Sequence, residues 1–347
     1  MITLALFNNK GGVGKTTLAY HLAHMMARKG LRILAIDLDP QSNLTAAFVD
    51  EEKLEALWRE RDPLPRDLLG PVLEPLFDFA IIPEGAGTIS DAVQPLQEHT
   101  GDVRFFEPIQ IDDRLYLMPG DLSLSGFEDN LSASWPRGFM GDVGALRVTS
   151  AFHRIIQQSA VHVQADVAII DVGPNLGAIN RAALLAADTV LIPLAADLFS
   201  LRGLSNLGPR LREWRDQWQK RVLPDAPGQI DLPRGVMDPI GYVVMQPAMR
   251  LNRPVRAYER WLQRIPIVYS YAVLAEGRTS PSDRSHEIAT LRNYQSLMPL
   301  AHDARKPMFD LRPSDGALGA TADFVRRCYE DFEALALDVA ARLGLQP

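Results

Sequence analysis

Two lysines, three glycines and two threonines fall within eight consecutive residues, Lys10-Gly11-Gly12-Val13-Gly14-Lys15-Thr16-Thr17. Residue types at this spacing suit the binding of a phosphate anion. Glycines let the backbone approach closely, and successive N–H groups converge with a helix N-terminus on the anion. In such a loop Lys15 reaches the terminal phosphates and the Thr16 hydroxyl ligates Mg²⁺. The context is right, because the apolar stretch Ile2–Phe7 precedes the loop and a helix-compatible stretch ending near Gly30 follows it. The ordinary pattern wants a glycine at position 9. Asn9 stands there, and a second lysine, Lys10, heads the loop.

Hydrolysis of a γ-phosphate is mostly positioning and electrostatics, so the next residues of interest are carboxylates. Asp171 closes an apolar stretch, where a strand-end aspartate contacts the metal, often through water. Asp39, at the tip of a neighbouring strand Ile33–Ile36, can orient or activate the attacking water. Asp37 lies two residues earlier and therefore on the same face. A helix-capping or structural role is the other reading of Asp37.

The run Lys-Gly-Gly-Val-Gly-Lys-Thr-Thr resembles the deviant phosphate loop of the ParA/MinD-type ATPases, closest to the ParA-like partition ATPases. The resemblance continues at Asp37-Leu38-Asp39-Pro40-Gln41, at Ala168-Ile169-Ile170-Asp171-Val172-Gly173-Pro174, and from Ala187 through Leu204. A weaker echo runs from Gly241 to the end. The resemblance implies ATP and Mg²⁺ as cofactors, with nucleotide held by Lys10, Gly11, Gly12, Val13, Gly14, Lys15, Thr16 and Thr17. It makes Asp39 the hydrolysis residue, acting with Lys10 and Lys15, and places Thr16, Asp37 and Asp171 at the metal. It sends Lys10 across a two-fold axis to the partner's nucleotide, as an arginine finger acts, so that an ATP-bound homodimer is expected. The segment Gly173-Pro174-Asn175-Leu176-Gly177 stands where the family senses the γ-phosphate, although one of its two usual prolines is absent here. Asp197, Ser200, Leu201 and Gly203 resemble the dimer-facing loop, and Asp197 reads equally well as a helix cap. Gln246 and Pro247 fall near adenine by the same resemblance, with a solvated turn as the alternative.

These residues need a scaffold, and the apolar runs supply one. Strand candidates are Ile2–Phe7, Arg32–Ile36, Phe79–Pro83, Leu115–Pro119, Val167–Val172, Thr189–Leu194, Gly241–Gln246 and Ile265–Tyr269. Several are apolar throughout, as strands buried on both faces of a parallel sheet are. Helical stretches lie between them, at Thr16–Lys29, Val148–Ser159, Asn180–Ala187 and Leu201–Lys220. The expectation is an α/β fold, a doubly wound and mostly parallel sheet with helices on both faces, of the SIMIBI type of P-loop NTPase. All 347 residues are read as one ATPase domain. Residues of about 50–150, rich in proline and glycine, form an excursion from it, and Asp121–Asp142 reads as loop. One amphipathic helix is expected over Asp315–Leu343, ending at Gly344.

Composition narrows the classes. The net charge of −7 argues against bulk wrapping of nucleic acid but not against a local basic face. A single cysteine, Cys328, rules out a disulfide framework or a Cys-x-x-Cys metal site within one chain, which fits a reducing cytoplasm. The chain begins directly with a strand, so no signal peptide is expected. No apolar run reaches the roughly 18 residues of a membrane span. From Arg202 to Arg264 there are twelve Lys/Arg and six Asp/Glu. Within that stretch Arg250, Arg253, Arg256, Arg260 and Arg264 recur at three- and four-residue spacing beside Tyr258 and Trp261. If helical, they form a stripe that binds phosphates without reading sequence. A solvated face paired with acids elsewhere is the alternative.

Two functions follow from the resemblance. The first is an ATPase whose closed dimer binds nonspecific DNA, positions or segregates DNA or another cargo, and is stimulated by a partner protein. Its location would be cytoplasmic, on the nucleoid if the DNA reading holds. The second is a nucleotide switch that regulates a protein assembly without DNA. A membrane-bound switch is disfavoured, since the polar face of the C-terminal helix lacks the needed basic charge.

Overall fold

The computed structural model describes residues 1–58, 85–245, 255–277, 279–294 and 296–346, with the backbone alone at 255–258. Eight strands make one sheet: β1 (Ile2–Leu6), β2 (Ile33–Asp37), β3 (Ile109–Asp112), β4 (Leu115–Met118), β5 (Val167–Asp171), β6 (Thr189–Ala195), β7 (Asp238–Met245) and β8 (Glu287–Leu291). Their spatial order is β3-β4-β2-β5-β1-β6-β7-β8. All neighbours are parallel except the β3–β4 pair at one edge. The registers Leu6↔Asp171 and Asp37↔Asp171 bring the C-terminal ends of β1, β5 and β2 side by side. Ligands bind at such strand ends in open α/β sheets.

The helices along the first half are α1 (Lys15–Arg28), α2 (Asn43–Phe48), α3 (Glu51–Trp58), α4 (Ile89–Gln97), α5 (Glu128–Gly138), α6 (Val143–Thr149) and α7 (Ala151–Val163). Those of the second half are α8 (Ala178–Leu185), α9 (Leu198–Gln217), α10 (Val255–Leu262), α11 (Ile265–Val268), α12 (Met298–Ala304) and α13 (Ala320–Arg342). Strand alternation divides the core between two faces. Ala168 and Ile170 of β5 face a layer with Ile89, Phe127, Phe152, Leu184 and Leu204. Val167 and Ile169 face the opposite layer, with Leu18, Leu22, Met25, Phe332 and Val339. Apolar side chains on both sides of the same strand are why these segments read as continuous apolar runs.

Some elements differ from the sequence reading. Ile265–Tyr269, expected as a strand, is the short helix α11 running into a π-type turn, Tyr269–Leu274. Ile265, Tyr269 and Val273 are all buried at four-residue spacing, a helical period that five apolar residues alone do not reveal. Asp121–Asp142, expected as loop, is mostly a 3₁₀ turn, Leu122–Phe127, continuing into α5, and only residues 139–141 after it are turn. Leu124, Phe127 and Leu131 bury one side of that pair. Ser150 interrupts the helix expected over Val148–Ser159, leaving α6 and α7 on either side. The C-terminal helix begins at Ala320, because Gly316 and Gly319 adopt positive φ angles of 89° and 55° just before it. Leu318 is consequently outside the helix and exposed. Edge strands β3 and β8 were not apparent, since edge strands carry few buried apolar residues. The strand expected at Phe79–Pro83 lies outside the described residues. No helix among the described residues is long and apolar enough to cross a membrane.

Candidate functional site

The loop after β1 turns tightly on two glycines, Gly12 at φ 71° and Gly14 at φ 86°. Both angles are in the left-handed region that glycine enters without strain. Gly14 caps α1, and the Leu18 N–H donates to its carbonyl at 2.9 Å. Asn8 anchors the loop: its Nδ2 donates to the Pro193 carbonyl on β6 at 2.7 Å, and its Oδ1 accepts from the Lys10 N–H at 3.0 Å. Asn9, standing where a glycine is usual, is accommodated by a glycine elsewhere. A Cβ on Gly203 of α9 would fall 2.5 Å from the Asn9 Oδ1. Asn8 was not singled out from sequence, since an asparagine before a glycine loop is an ordinary turn residue.

Lys15 and Thr16 open α1, and the carboxylates of Asp171 and Asp39 act on Lys15, with Asp37 beyond them. Lys15 is buried, and burial lowers its ammonium pKa against the opposing pull of Asp171 and Asp39. The Thr16 hydroxyl donates to Asp171 Oδ2 at 2.6 Å. Asp171 is fully buried at the end of β5, and its carboxyl is pushed up to about 8, chiefly by desolvation and then by the charge of Asp37. Its second oxygen, Oδ1, finds no hydrogen-bond partner among the described residues. A buried carboxylate oxygen without a partner is costly, and a cation beside it would remove that cost. One hydroxyl and one carboxylate also make the sparse protein donor set that Mg²⁺ takes alongside phosphate oxygens. The residues present therefore fit a phosphate with a divalent cation.

Asp37 and Asp39 do different things. The Asp37 carboxylate is buried and accepts from the Thr45 N–H at 2.8 Å, the Thr45 hydroxyl at 2.7 Å and the Asp39 N–H at 3.2 Å. Burial raises it to about 6 despite the Thr45 hydrogen bonds. It thus holds α2 and the backbone of Asp39 in place, in line with the capping alternative. The Asp39 Oδ1 accepts from the Gln41 N–H at 3.0 Å, and a Cβ on Gly173 would fall 3.3 Å from that same oxygen. The end of β2 and the loop after β5 are therefore in close contact beside the phosphate loop.

Gly11, Gly12, Gly14, Lys15, Thr16 and Thr17 line one wall of a cleft of about 750 Å³. Asp39 and Pro174 close one side, and Tyr20, His302, Arg305 and Lys306 extend it towards α12. The volume lies within the roughly 300–1,000 Å³ of ligand pockets. Gln246 and Pro247, the expected adenine contacts, lie outside the described residues. Met245 at the end of β7 does reach the loop, its Cε 3.2 Å from where a Gly14 Cβ would sit.

Lys10 sits at the rim. Its ammonium is paired with the carboxylate of Asp197, which also caps α9 by accepting from the Ser200 N–H at 2.8 Å. Burial alone would raise the Asp197 carboxyl, but the hydrogen bonds from Lys10 and Ser200 hold it below its ordinary value. Beside the pair, Leu198 and Phe199 are exposed, Phe199 at 71%, with the Lys10 ammonium 5.8 Å from the Phe199 ring centroid. Of the arginine stripe, Arg250 and Arg253 lie outside the described residues, and for Arg256 only its place in α10 is described. Arg260 and Arg264 are both exposed and both lie over Trp261, at 4.8 and 5.3 Å from its ring. Neither forms an ion pair among the described residues.

The loop 173–177 is held by residues that sequence reasoning did not single out. Asn180 donates from Nδ2 to the Gly173 carbonyl at 3.0 Å and the Asn175 carbonyl at 2.8 Å. Glu128, about fifty residues earlier, accepts from the Ala178 N–H at 2.5 Å and the Ile179 N–H at 2.9 Å. No local pattern marks Glu128, because its partners are backbone groups distant in sequence.

A family model described as an AAA domain matches residues 1–223. The chromosome partitioning protein ParA of Myxococcus xanthus is 32% identical over 206 residues, 59% of this chain and 56% of that protein. The chain spans about half the length of several curated relatives it matches. Among solved structures, a protein from Corynebacterium diphtheriae has a TM-score of 0.66 at 23% identity, covering 99% of both chains. An ATP complex of a McdA variant from Cyanothece has a TM-score of 0.59 at 17% identity, covering 100% of this chain and 98% of its own. These likenesses bear out the mostly parallel, doubly wound P-loop fold.

Proposed function

This chain belongs to the AAA-domain family as a ParA-like P-loop ATPase, and from that premise we propose that it binds and hydrolyses ATP as one domain and cycles between open and closed dimers. The observation that carries the reading is the Lys15–Thr16–Asp171 cluster, in which Asp171 Oδ1, buried and without a hydrogen-bond partner among the described residues, suits a cation. Lys15 neutralises β- and γ-phosphate oxygens, and the N–H groups of residues 11–17 cradle them. Thr16 and Asp171 would hold Mg²⁺, and Asp37 would support that site by fixing the Asp39 backbone. A Mg²⁺ ion held there would offset negative charge on the phosphates. Asp39 orients the attacking water, and the loop 173–177 closes the cleft against bulk solvent. The named ATP complex of a structural neighbour agrees with this reading.

Lys10 supplies the dimer. Its pair with Asp197 is partly exposed, at 28% and 34%, so it is worth at most about 1 kcal/mol. That is little to give up for a partner's phosphate charge, and the exposed Leu198 and Phe199 beside it would be covered on closure. Lys10→Ala is expected to keep part of its ATP binding and to lose most hydrolysis and closure. Sedimentation with ATP and Mg²⁺ checks this. A variant that closes and turns over normally leaves Lys10 as a partner of Asp197 only.

The closed dimer binds duplex DNA without sequence preference, and a partner protein stimulates hydrolysis. Arg260 and Arg264, exposed on one aromatic platform, support this reading. Pairing two stripes doubles the number of phosphates neutralised, so binding is expected only in the ATP state. Removing one arginine–phosphate pair lowers the salt slope of log affinity by about 0.9. Arg256→Ala combined with Arg260→Ala is expected to weaken binding to unrelated duplexes about equally, as read by salt titration of a hydrolysis-trapped protein. No retention at low salt in the ATP state would select the second reading, a nucleotide switch acting on a protein assembly. The hydrogen bonds of Glu128 beside the loop after β5 favour that reading to the extent that they tie the 50–150 segment to the nucleotide site.

A further inference from the structure

The segment between β4 and β5 reaches the elements of the nucleotide site at Gly120, beside Asp37 and Thr45, and again through the helix α5. At its start, the two Glu128 oxygens accept the first two N–H groups of α8, Ala178 at 2.5 Å and Ile179 at 2.9 Å. These groups have no partner within the helix, and a carboxylate is well placed against the helix dipole. The approach is close: a Cβ on Gly177 would fall 2.7 Å from Glu128 Oε1, so a side chain there would oblige the carboxylate to shift. The two helices meet again about two turns further along α5 and one turn further along α8. The Arg181 guanidinium lies 4.2 Å from the Trp135 ring centroid, in the range of a cation–π interaction. Burial lowers Arg181 to about 10, against the opposing charge of Glu128. Trp135 in turn stacks on Trp218 just past the C-terminus of α9, with centroids 6.0 Å apart and planes 12° apart.

The other end of this arrangement is the nucleotide cleft. Asn180, in the first turn of α8, holds the carbonyls of Gly173 and Asn175. Asn175 Oδ1 accepts from the Gly177 N–H at 2.8 Å and from Asn180 at 2.9 Å. Gly173 abuts Asp39. The first turn of α8 is therefore fixed on one side by α5 and on the other fixes the loop that faces Asp39. We propose that Glu128 is a positioning residue for ATP hydrolysis, setting the loop 173–177 through the N-terminus of α8 so that α5 and the γ-phosphate-facing loop move as one unit. This rests on the ATPase reading above. It makes the segment between β4 and β5 a lever on turnover, because a ligand that displaces α5 changes hydrolysis without touching the nucleotide.

The test uses the full chain and two variants, Glu128→Ala and Glu128→Gln, the second retaining one acceptor oxygen. Steady-state turnover with ATP and Mg²⁺ is measured together with amide exchange over residues 173–181, with and without a slowly hydrolysed ATP analogue. In Glu128→Ala, kcat is expected to fall about tenfold while KM changes less than about threefold, since misplacing a positioning group costs the chemical step more than binding. Protection gained by the loop on adding the analogue is expected to disappear, and Glu128→Gln to fall between. A purely structural cap would lower the thermal midpoint and speed exchange at residues 178–179, yet leave kcat and analogue-dependent protection of 173–177 as in the wild type; that result overturns the inference. Should Glu128→Ala not fold, the same two readouts on Glu128→Gln decide it, wild-type values overturning it. A wild-type chain that neither binds the analogue nor turns over ATP overturns the ATPase reading itself, and the inference with it.

Discussion

Lys15→Ala is expected to abolish ATP binding or to weaken it by about three orders of magnitude. Lys15 is the buried cation of the phosphate loop, with Asp171 and Asp39 as its neighbouring charges. Removing one partner of a buried, charge-assisted pair costs about 2–5 kcal/mol, and every 1.4 kcal/mol is tenfold in affinity. The same change leaves Asp171 and Asp39 facing phosphate without a compensating charge, so the effect falls on binding itself. Titration with a fluorescent ATP analogue in the presence of Mg²⁺ gives the affinity directly. Wild-type-like affinity in this variant would sink the phosphate-site assignment.

Asp39→Ala is expected to separate binding from chemistry. The Asp39 carboxylate lies at the cleft wall, where its Oδ1 accepts from the Gln41 N–H. ATP binding and dimer closure should survive, and turnover should fall by about two or more orders of magnitude. Asp39→Asn keeps an acceptor for Gln41 but not the carboxylate charge, so it should be equally slow if positioning and activating water is the role. Single-turnover hydrolysis by pre-formed complexes measures the step. Normal hydrolysis in either variant removes Asp39 from the mechanism.

The phosphate loop was legible because its chemistry is local. Glycines at 12 and 14 are required by the backbone angles of one turn, and Lys15 and Thr16 follow as the first residues of α1. The central strands were legible for a similar reason: a segment apolar on both faces has few other places to go than the middle of a parallel sheet. Where a segment is short, the same apolar content is ambiguous. Ile265–Tyr269 has a helical period visible only once Val273 is seen on the same buried side. Asp121–Asp142 carries glycines and a proline, yet packing of Leu124, Phe127 and Leu131 makes it helical. Tertiary burial outweighs local propensity there.

By itself, then, the chain of residues determined the phosphate loop, the central apolar strands beside it, and the family they resemble, since each depends on neighbours a few residues apart. What the tertiary structure decided are the partners. Asp37 is committed to Thr45 and the Asp39 backbone, Lys10 pairs with Asp197, Asn9 fits against Gly203, and Glu128 caps α8. Most of these join residues brought together by the sheet order or by a helix crossing, and several use backbone N–H groups that nearly every residue carries. Such contacts leave no pattern in a sequence, because their specificity lies in where the fold places the groups and not in which groups they are.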